Sequence, residues 1–325
     1  MRGMGVSSTL GVLDVGSFSA HLVVVDRHGS PLDPVFTHKT RLRLDRALDH
    51  KGRLSAAGIG SIVDAVQAAS RLAVRRGLPA FYPLATSSIR DAANAAEVVA
   101  EVARATGVRL RFLSGRREAE LSFLAARRWY GASAGPMLVL DIGGGTVEIA
   151  AGDGERATFA RSLRLGAREM TRGWLDGEFP DAARIKALRA HALDRVGTAL
   201  DGVRPEIGAC RVVGCSKVFQ QLARLAGARP QRGGPPARDL RLEDLRRWVP
   251  RLAKLPASRR AELPGISRCR ARQALAGAIV AEALLTVCGG EVGISPWSTR
   301  EGLLLTLLDN GSAADLPAVA GSDAA

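Results

Sequence analysis

Residues 138–150 read LVLDIGGGTVEIA. Three apolar residues lead to Asp141, and Ile142, three glycines and Thr146 follow. Val147, Glu148 and a second apolar pair complete the stretch. Two apolar runs joined by a short glycine segment predict a strand, a tight turn and a returning strand. Glycine has no Cβ, so backbone N–H groups at Gly143, Gly144 and Gly145 can close around an anion. Asp141 and Glu148 flank the turn, and two carboxylates beside a phosphate suit a hard divalent cation such as Mg²⁺. Taken alone, the same residues also fit a plain hairpin.

A second copy decides between these readings. Residues 12–26 read VLDVGSFSAHLVVVD and residues 139–153 read VLDIGGGTVEIAAGD. Asp14 matches Asp141, and Gly16 matches Gly143. A repeat separated by more than a hundred residues is too long for a solenoid. It predicts two related domains that face each other across a cleft, each offering a phosphate-binding hairpin.

The chain has 325 residues, enough for two cores. Its composition is that of a globular protein. Met1–Thr9 is polar and Asp14 interrupts the nearest apolar run, so no signal peptide is expected. The most apolar segment, Ala274–Cys288, carries Glu282 and is too short to span a bilayer. A cytoplasmic protein without a membrane partner is the expectation. The four cysteines, Cys210, Cys215, Cys269 and Cys288, lack zinc spacing and read as buried free thiols.

The formal net charge is +14, which favours polyanionic ligands. Only five lysines occur (positions 39, 51, 186, 217 and 254) among 46 basic residues, so the charge reads equally as the arginine bias of a GC-rich genome. Aromatic residues are scarce and never interleave with basic runs, which argues against nucleic-acid binding.

Along the chain, Leu54–Gly77 keeps helical spacing after Ser55, a plausible cap. Val108–Leu113 reads as a strand, Arg116–Tyr130 as a helix and Ser267–Cys288 as one long apolar helix. Small, breaking residues at Gly131–Pro136 mark a junction. The expected division is an N-terminal domain over 1–130 with a returning helix at about 299–309, a C-terminal domain over 131–298, and a disordered tail over 311–325.

Seven segments in order carry a resemblance: LDVGSFSAHLVV, ATSSIRDAANA, SGRREAEL, LDIGGGTVEIA, SLRLGARE, VVGCSKVFQQLARLAG and SPWSTREGLL. Together they span about residues 10–308. The chain resembles the acetate kinase, sugar kinase, heat-shock ATPase and actin superfamily. Within it, the chain resembles the exopolyphosphatase and guanosine pentaphosphate phosphatase family (Ppx/GppA), in its short actinobacterial form. The resemblance implies an α/β fold of two actin-like (ribonuclease H-like) domains, each a mixed sheet flanked by helices. It implies hydrolysis of the terminal phosphoanhydride of polyphosphate, here short chains for want of an additional C-terminal domain. Guanosine pentaphosphate is the alternative substrate. A homodimer follows from the resemblance alone.

The resemblance also assigns roles. Glu118 stands at the family's catalytic glutamate, as base or water-positioning residue. Arg90 matches a phosphate-contacting arginine. Gly16, Ser17, Arg41, Gly143, Gly144, Gly145, Thr146 and Lys217 would hold phosphates. Asp14, Asp141 and Glu148 would serve a Mg²⁺ ion. Phe18 stands where the family motif has asparagine, and Val147 where it has threonine. A phenyl ring can neither orient water nor bond a phosphate. This departure keeps open a regulatory protein that binds phosphate chains and cuts them poorly. A kinase of the superfamily is a third reading, opposed by the positions of Glu118 and Arg90.

Overall fold

The computed structural model describes residues 9–78, 81–175, 177–203, 210–229 and 238–310. The chain divides into two compact units. One comprises 1–114 and 303–325, and the other 115–302. The segment 131–136 lies within the second unit, where Ala132–Ala134 forms a 3₁₀ turn. The helix Thr299–Asn310 runs from the second unit into the first. The tail over 311–325 lies outside the described residues.

The first unit is built on a five-stranded sheet. Its strands are β1 (Thr9–Val15), β2 (Ser19–Asp26), β3 (Phe36–Arg41), β4 (Tyr82–Ala85) and β5 (Arg111–Phe112), in the order β3-β2-β1-β4-β5. The first three pair antiparallel, whereas β4 and β5 run parallel to β1. Alternation along β1 sends Leu13 and Val15 into a core shared with Leu22, Val24, Ile62, Val66, Val98 and Val102. The helices Ala56–Arg75 and Ala95–Thr106 supply the last four of these. Ser55 caps the first helix by accepting from the Gly58 amide at 3.2 Å.

The second unit repeats this plan. Its strands are β6 (Met137–Ile142), β7 (Val147–Gly152), β8 (Phe159–Leu163), β9 (Arg211–Gly214), β10 (Leu240–Arg241) and β11 (Glu291–Ile294). The order is β10-β11-β9-β6-β7-β8. Again an antiparallel trio (β6, β7, β8) is extended on the far side of its first member by the parallel strands β9 and β11, with the short β10 antiparallel at the edge. Leu138, Leu140, Ile142, Val147 and Ile149 face a large core with the helices Ala274–Cys288, Ala182–Ala199 and Leu242–Ala253. Met137, Val139 and Ala150 face the other way, against Ala119, Phe123 and Ala126 of the helix Gly115–Tyr130.

The apolar helix at the centre of the second core begins at Ala274, after a 3₁₀ turn over Ala271–Gln273, and not at Ser267. By composition Ala271–Cys288 is apolar enough to cross a membrane, but 83% of it is buried within the protein. Its buried Glu282 is paired with Arg189 at 3.1 Å. The strand expected over Val108–Leu113 is limited to Arg111–Phe112. A single helical turn, Ser87–Arg90, follows β4. All four cysteines are free, yet only Cys215 and Cys288 are buried, while Cys269 is exposed.

Candidate active site

In the second unit, strand alternation does the first part of the work. Asp141 and Glu148 face each other across the β6–β7 ladder. Both lie on the side of Val139 and Ala150, and so toward the helix Gly115–Tyr130. Glu118 sits in the first turn of that helix. All three carboxylates are buried: Glu118 is 7% exposed, Asp141 6% and Glu148 4%. Glu120 is turned aside, bound by Arg116 and Arg117 at 3.1 Å each.

Hydroxyl groups hold two of the three acids. Ser122 Oγ donates to Asp141 Oδ2 at 3.0 Å and contacts Thr299 Oγ1 at 2.9 Å. Ser298 also bonds Asp141. Ser162 Oγ donates to Glu148 Oε1 at 2.8 Å, and Thr146 bonds the same carboxylate. Burial pushes the Asp141 carboxyl up, the Ser298 and Ser122 bonds pull it down, and Glu301 pushes it up again. Burial is also the main cause at Glu148, which lies well above the ordinary glutamate value. The nearby charges of Glu118 and Asp141 add to the rise there, and the bonds from Thr146 and Ser162 oppose it.

The glycine turn is anchored by main chain. Gly143 N donates to Thr146 O at 2.9 Å and closes it. The amides of Gly166, Ala167, Arg168 and Glu169 donate to the carbonyls of Gly145, Gly143, Gly144 and Gly144 at 2.9–3.1 Å. The start of the helix Ala167–Trp174 is therefore occupied by the turn's own oxygens. Among the described residues, the amides of Gly144, Gly145 and Thr146 donate to no backbone carbonyl. The approach is so close that a Cβ on Gly166 would lie 2.3 Å from the Gly145 carbonyl carbon. A second close approach places the hydroxyl groups. A Cβ on Gly302 would lie 2.0 Å from Leu121 O, and this contact brings the start of the helix Thr299–Asn310 against Ser122.

The first unit carries the matching turn. Gly16 N donates to Ser19 O at 3.0 Å, and Leu42 N and Leu44 N donate to the carbonyls of Phe18 and Ser17 at 2.8 and 2.9 Å. Ser17 Oγ meets Ser88 Oγ on the helical turn Ser87–Arg90. Arg90, at the end of that turn, binds Asp91 Oδ1 at 3.0 Å and Leu113 O at 2.9 Å. Arg41 is exposed and pairs in register with Ser19, next to the turn. Asp14 faces His21 across the ladder. In the second unit Lys217 is exposed and donates to Gln220 Oε1 at 2.6 Å, a local helical contact.

Among the described residues, no three or more His, Cys, Asp or Glu side chains are arranged to hold a metal ion. Mg²⁺ rarely uses such a cage; it is ordinarily bound through one or two carboxylates together with substrate phosphates and water. Asp141 and Glu148, opposed, buried and mutually repelling, fit that pattern. Sequence reasoning missed Ser122, Ser162, Ser298 and Gly166. Ser122 carried a signal, since it stands four residues after Glu118 on the same helical face.

The family model for the Ppx/GppA phosphatase family matches residues 22–311. The chain belongs to the Ppx/GppA phosphatase family. Exopolyphosphatase 1 of Mycobacterium tuberculosis is 42% identical over 308 residues, covering 93% of this chain and 88% of that protein. A guanosine-5'-triphosphate,3'-diphosphate pyrophosphatase of Aeromonas hydrophila is 28% identical over 306 residues, covering 92% of this chain and 59% of that one. The fold matches crystal structures of Ppx/GppA proteins. An exopolyphosphatase-like protein superposes with a TM-score of 0.81 at 22% identity, covering 94% of this chain and all of that one. The Aquifex aeolicus family member superposes with a TM-score of 0.75 at 21% identity, covering 93% and 98%.

Proposed function

We propose that this Ppx/GppA phosphatase is an exopolyphosphatase, releasing orthophosphate from the end of short inorganic polyphosphates. The observation that carries the reading is the gathering of Glu118, Asp141 and Glu148 beside an anchored glycine turn whose outer amides are unspent. The identity to mycobacterial exopolyphosphatases supports the choice of substrate.

In this reading the amides of Gly144, Gly145 and Thr146 hold phosphate oxygens. The turn is fixed from behind by the start of the helix Ala167–Trp174, so little reorganisation accompanies binding. Glu118 orients the attacking water in line with the bond to be broken and takes its proton. Ser122 and Ser298 hold Asp141 in place, and Ser162 and Thr146 hold Glu148. Asp141 and Glu148 would hold Mg²⁺, which when bound neutralises charge on the phosphates. Within the first unit, Gly16, Ser17, Arg41 and Arg90 are the proposed phosphate-binding residues. Cytoplasmic residence, with four free cysteines in its support, and a homodimer belong to the same proposal.

Guanosine pentaphosphate is a second substrate to be tested, on the ground of the Aeromonas relative. The deciding experiment measures phosphate release from short polyphosphate and from guanosine pentaphosphate, with and without Mg²⁺. Wild type and Glu118→Gln are compared. Mg²⁺-dependent release from polyphosphate that is lost in the variant supports the reading. Release from guanosine pentaphosphate alone replaces the substrate, and binding without release from either turns the protein into a phosphate-chain receptor.

A further inference from the structure

Away from the buried acids, the second unit contains a cavity of about 270 Å³ with two arginines in its wall, Arg260 and Arg272. Arg260 is 4% exposed, as buried as the core around it. Its Nε donates to Leu252 O at 2.9 Å. Its Nη2 is buried and has no hydrogen-bond partner among the described residues. Neither arginine forms an ion pair among the described residues. Among the described residues the acid in the wall is Glu178, which is exposed and whose charge acts on Arg260 only at a distance. Burial pulls the Arg260 guanidinium below the ordinary arginine value, and Glu178 opposes this. A guanidinium this buried is normally matched by an acid or an anion, because leaving it unpaired is costly.

The rest of the wall is apolar at Leu175, Pro180 and Leu275. The volume exceeds that of a single small anion and approaches that of an ordinary ligand pocket. Two planar forks around one group suit a tetrahedral phosphoryl, which offers more oxygens than a carboxylate.

We propose that this cavity is a separate anion site that takes a small organic phosphate, with its phosphoryl group on Arg260 and Arg272 and its less polar body on Leu175, Pro180 and Leu275. None of these residues belongs to the candidate active site, so the proposal stands whichever substrate that site hydrolyses.

The probes are phenyl phosphate, which has both a head and an apolar body, and inorganic phosphate, which has only the head. Each is titrated into the full chain while the assigned methyl resonances of Leu175 and Leu275 are followed by NMR. Both methyls should shift saturably, with phenyl phosphate binding about fivefold or more tighter than inorganic phosphate. Arg272→Ala should weaken phenyl phosphate about tenfold, as expected for loss of one charged fork. Arg260→Met should abolish the shifts. Because that variant also removes a core contact, the exposed Arg272→Ala carries the decision. Unmoved methyls in wild type, an unchanged affinity in Arg272→Ala, or shifts confined to Ile142 and Val147 beside the glycine turn would each overturn the proposal.

Discussion

The two hairpins are the same object built twice and put to different uses. Asp14 opposes His21 in the first, and Asp141 opposes Glu148 in the second, at the same register distance from the turn. Each turn closes with an amide-to-carbonyl bond spanning three residues, Gly16 to Ser19 and Gly143 to Thr146. Each is held from behind by amides of the segment after its third strand, at 42 and 44 or at 166 and 168. The chemistry differs at the position opposite the aspartate. The first hairpin pairs an acid with a base. The second sets two acids together under a third, Glu118, and raises the proton affinity of Glu148. A shared scaffold therefore fixes where a side chain stands, and one residue in the ladder decides what faces the aspartate.

That contrast can be broken first at Glu118. Glu118→Gln should lower kcat for phosphate release roughly a hundredfold or more, as for loss of a positioned base. Equal turnover in steady-state assays would take the acid out of the reaction. Gly166→Ala comes next. The matching residue in the first unit is Leu42, so only the second turn is packed too tightly for a Cβ there. A destabilisation of about 1–3 kcal/mol is expected in denaturant unfolding. Gly154→Ala, where a Cβ meets nothing within 4 Å, should stay within about 0.5 kcal/mol.

The acid pair gives a pH test. Glu148 binds its proton more tightly folded than unfolded. As pH rises through the unfolded value of about 4.5, the unfolded chain loses that proton first, and the metal-free fold is progressively destabilised up to the higher folded value. Glu148→Gln should flatten this decline and raise the metal-free melting temperature at neutral pH. Added Mg²⁺ should stabilise wild type more than the variant. An unchanged pH slope in Glu148→Gln would remove the repulsion from the account. The smallest effect is expected at Phe18, which occupies the place of Gly145 in the second turn. Phe18→Asn should change kcat/KM on polyphosphate only severalfold, upward, since it adds a single amide near the phosphates.

Much of this was legible before any coordinates. The repeat of V-L-D with a small-residue turn announces both hairpins and sets Asp141 and Glu148 on either side of the second turn; that they face each other comes from the strand register. The division into like units followed from the same repeat. Glu118 and Arg90 were named by resemblance, not by spacing. The acids' supports were illegible because they come from distant segments. Ser162 arrives on β8, and Ser298 and Thr299 arrive through the Gly302 approach to Leu121. No periodicity joins residues 122 and 299. The strand expected over Val108–Leu113 shrinks to Arg111–Phe112 because an apolar run does not mark where pairing stops.

The grip on the two turns has a consequence for how such a molecule can drift over time. The bonds from 42 and 44 and from 166 and 168 run from one peptide group to another, so letters at the turn can be rewritten while the loop keeps its shape. Phe18 and Gly145 occupy the same seat, and Ser17 and Gly144 share the next. A duplicated hairpin held this way can lose one trade and learn another, because the main-chain grip asks for a bare Cα at Gly166 but fixes little of what stands at the seats it presents.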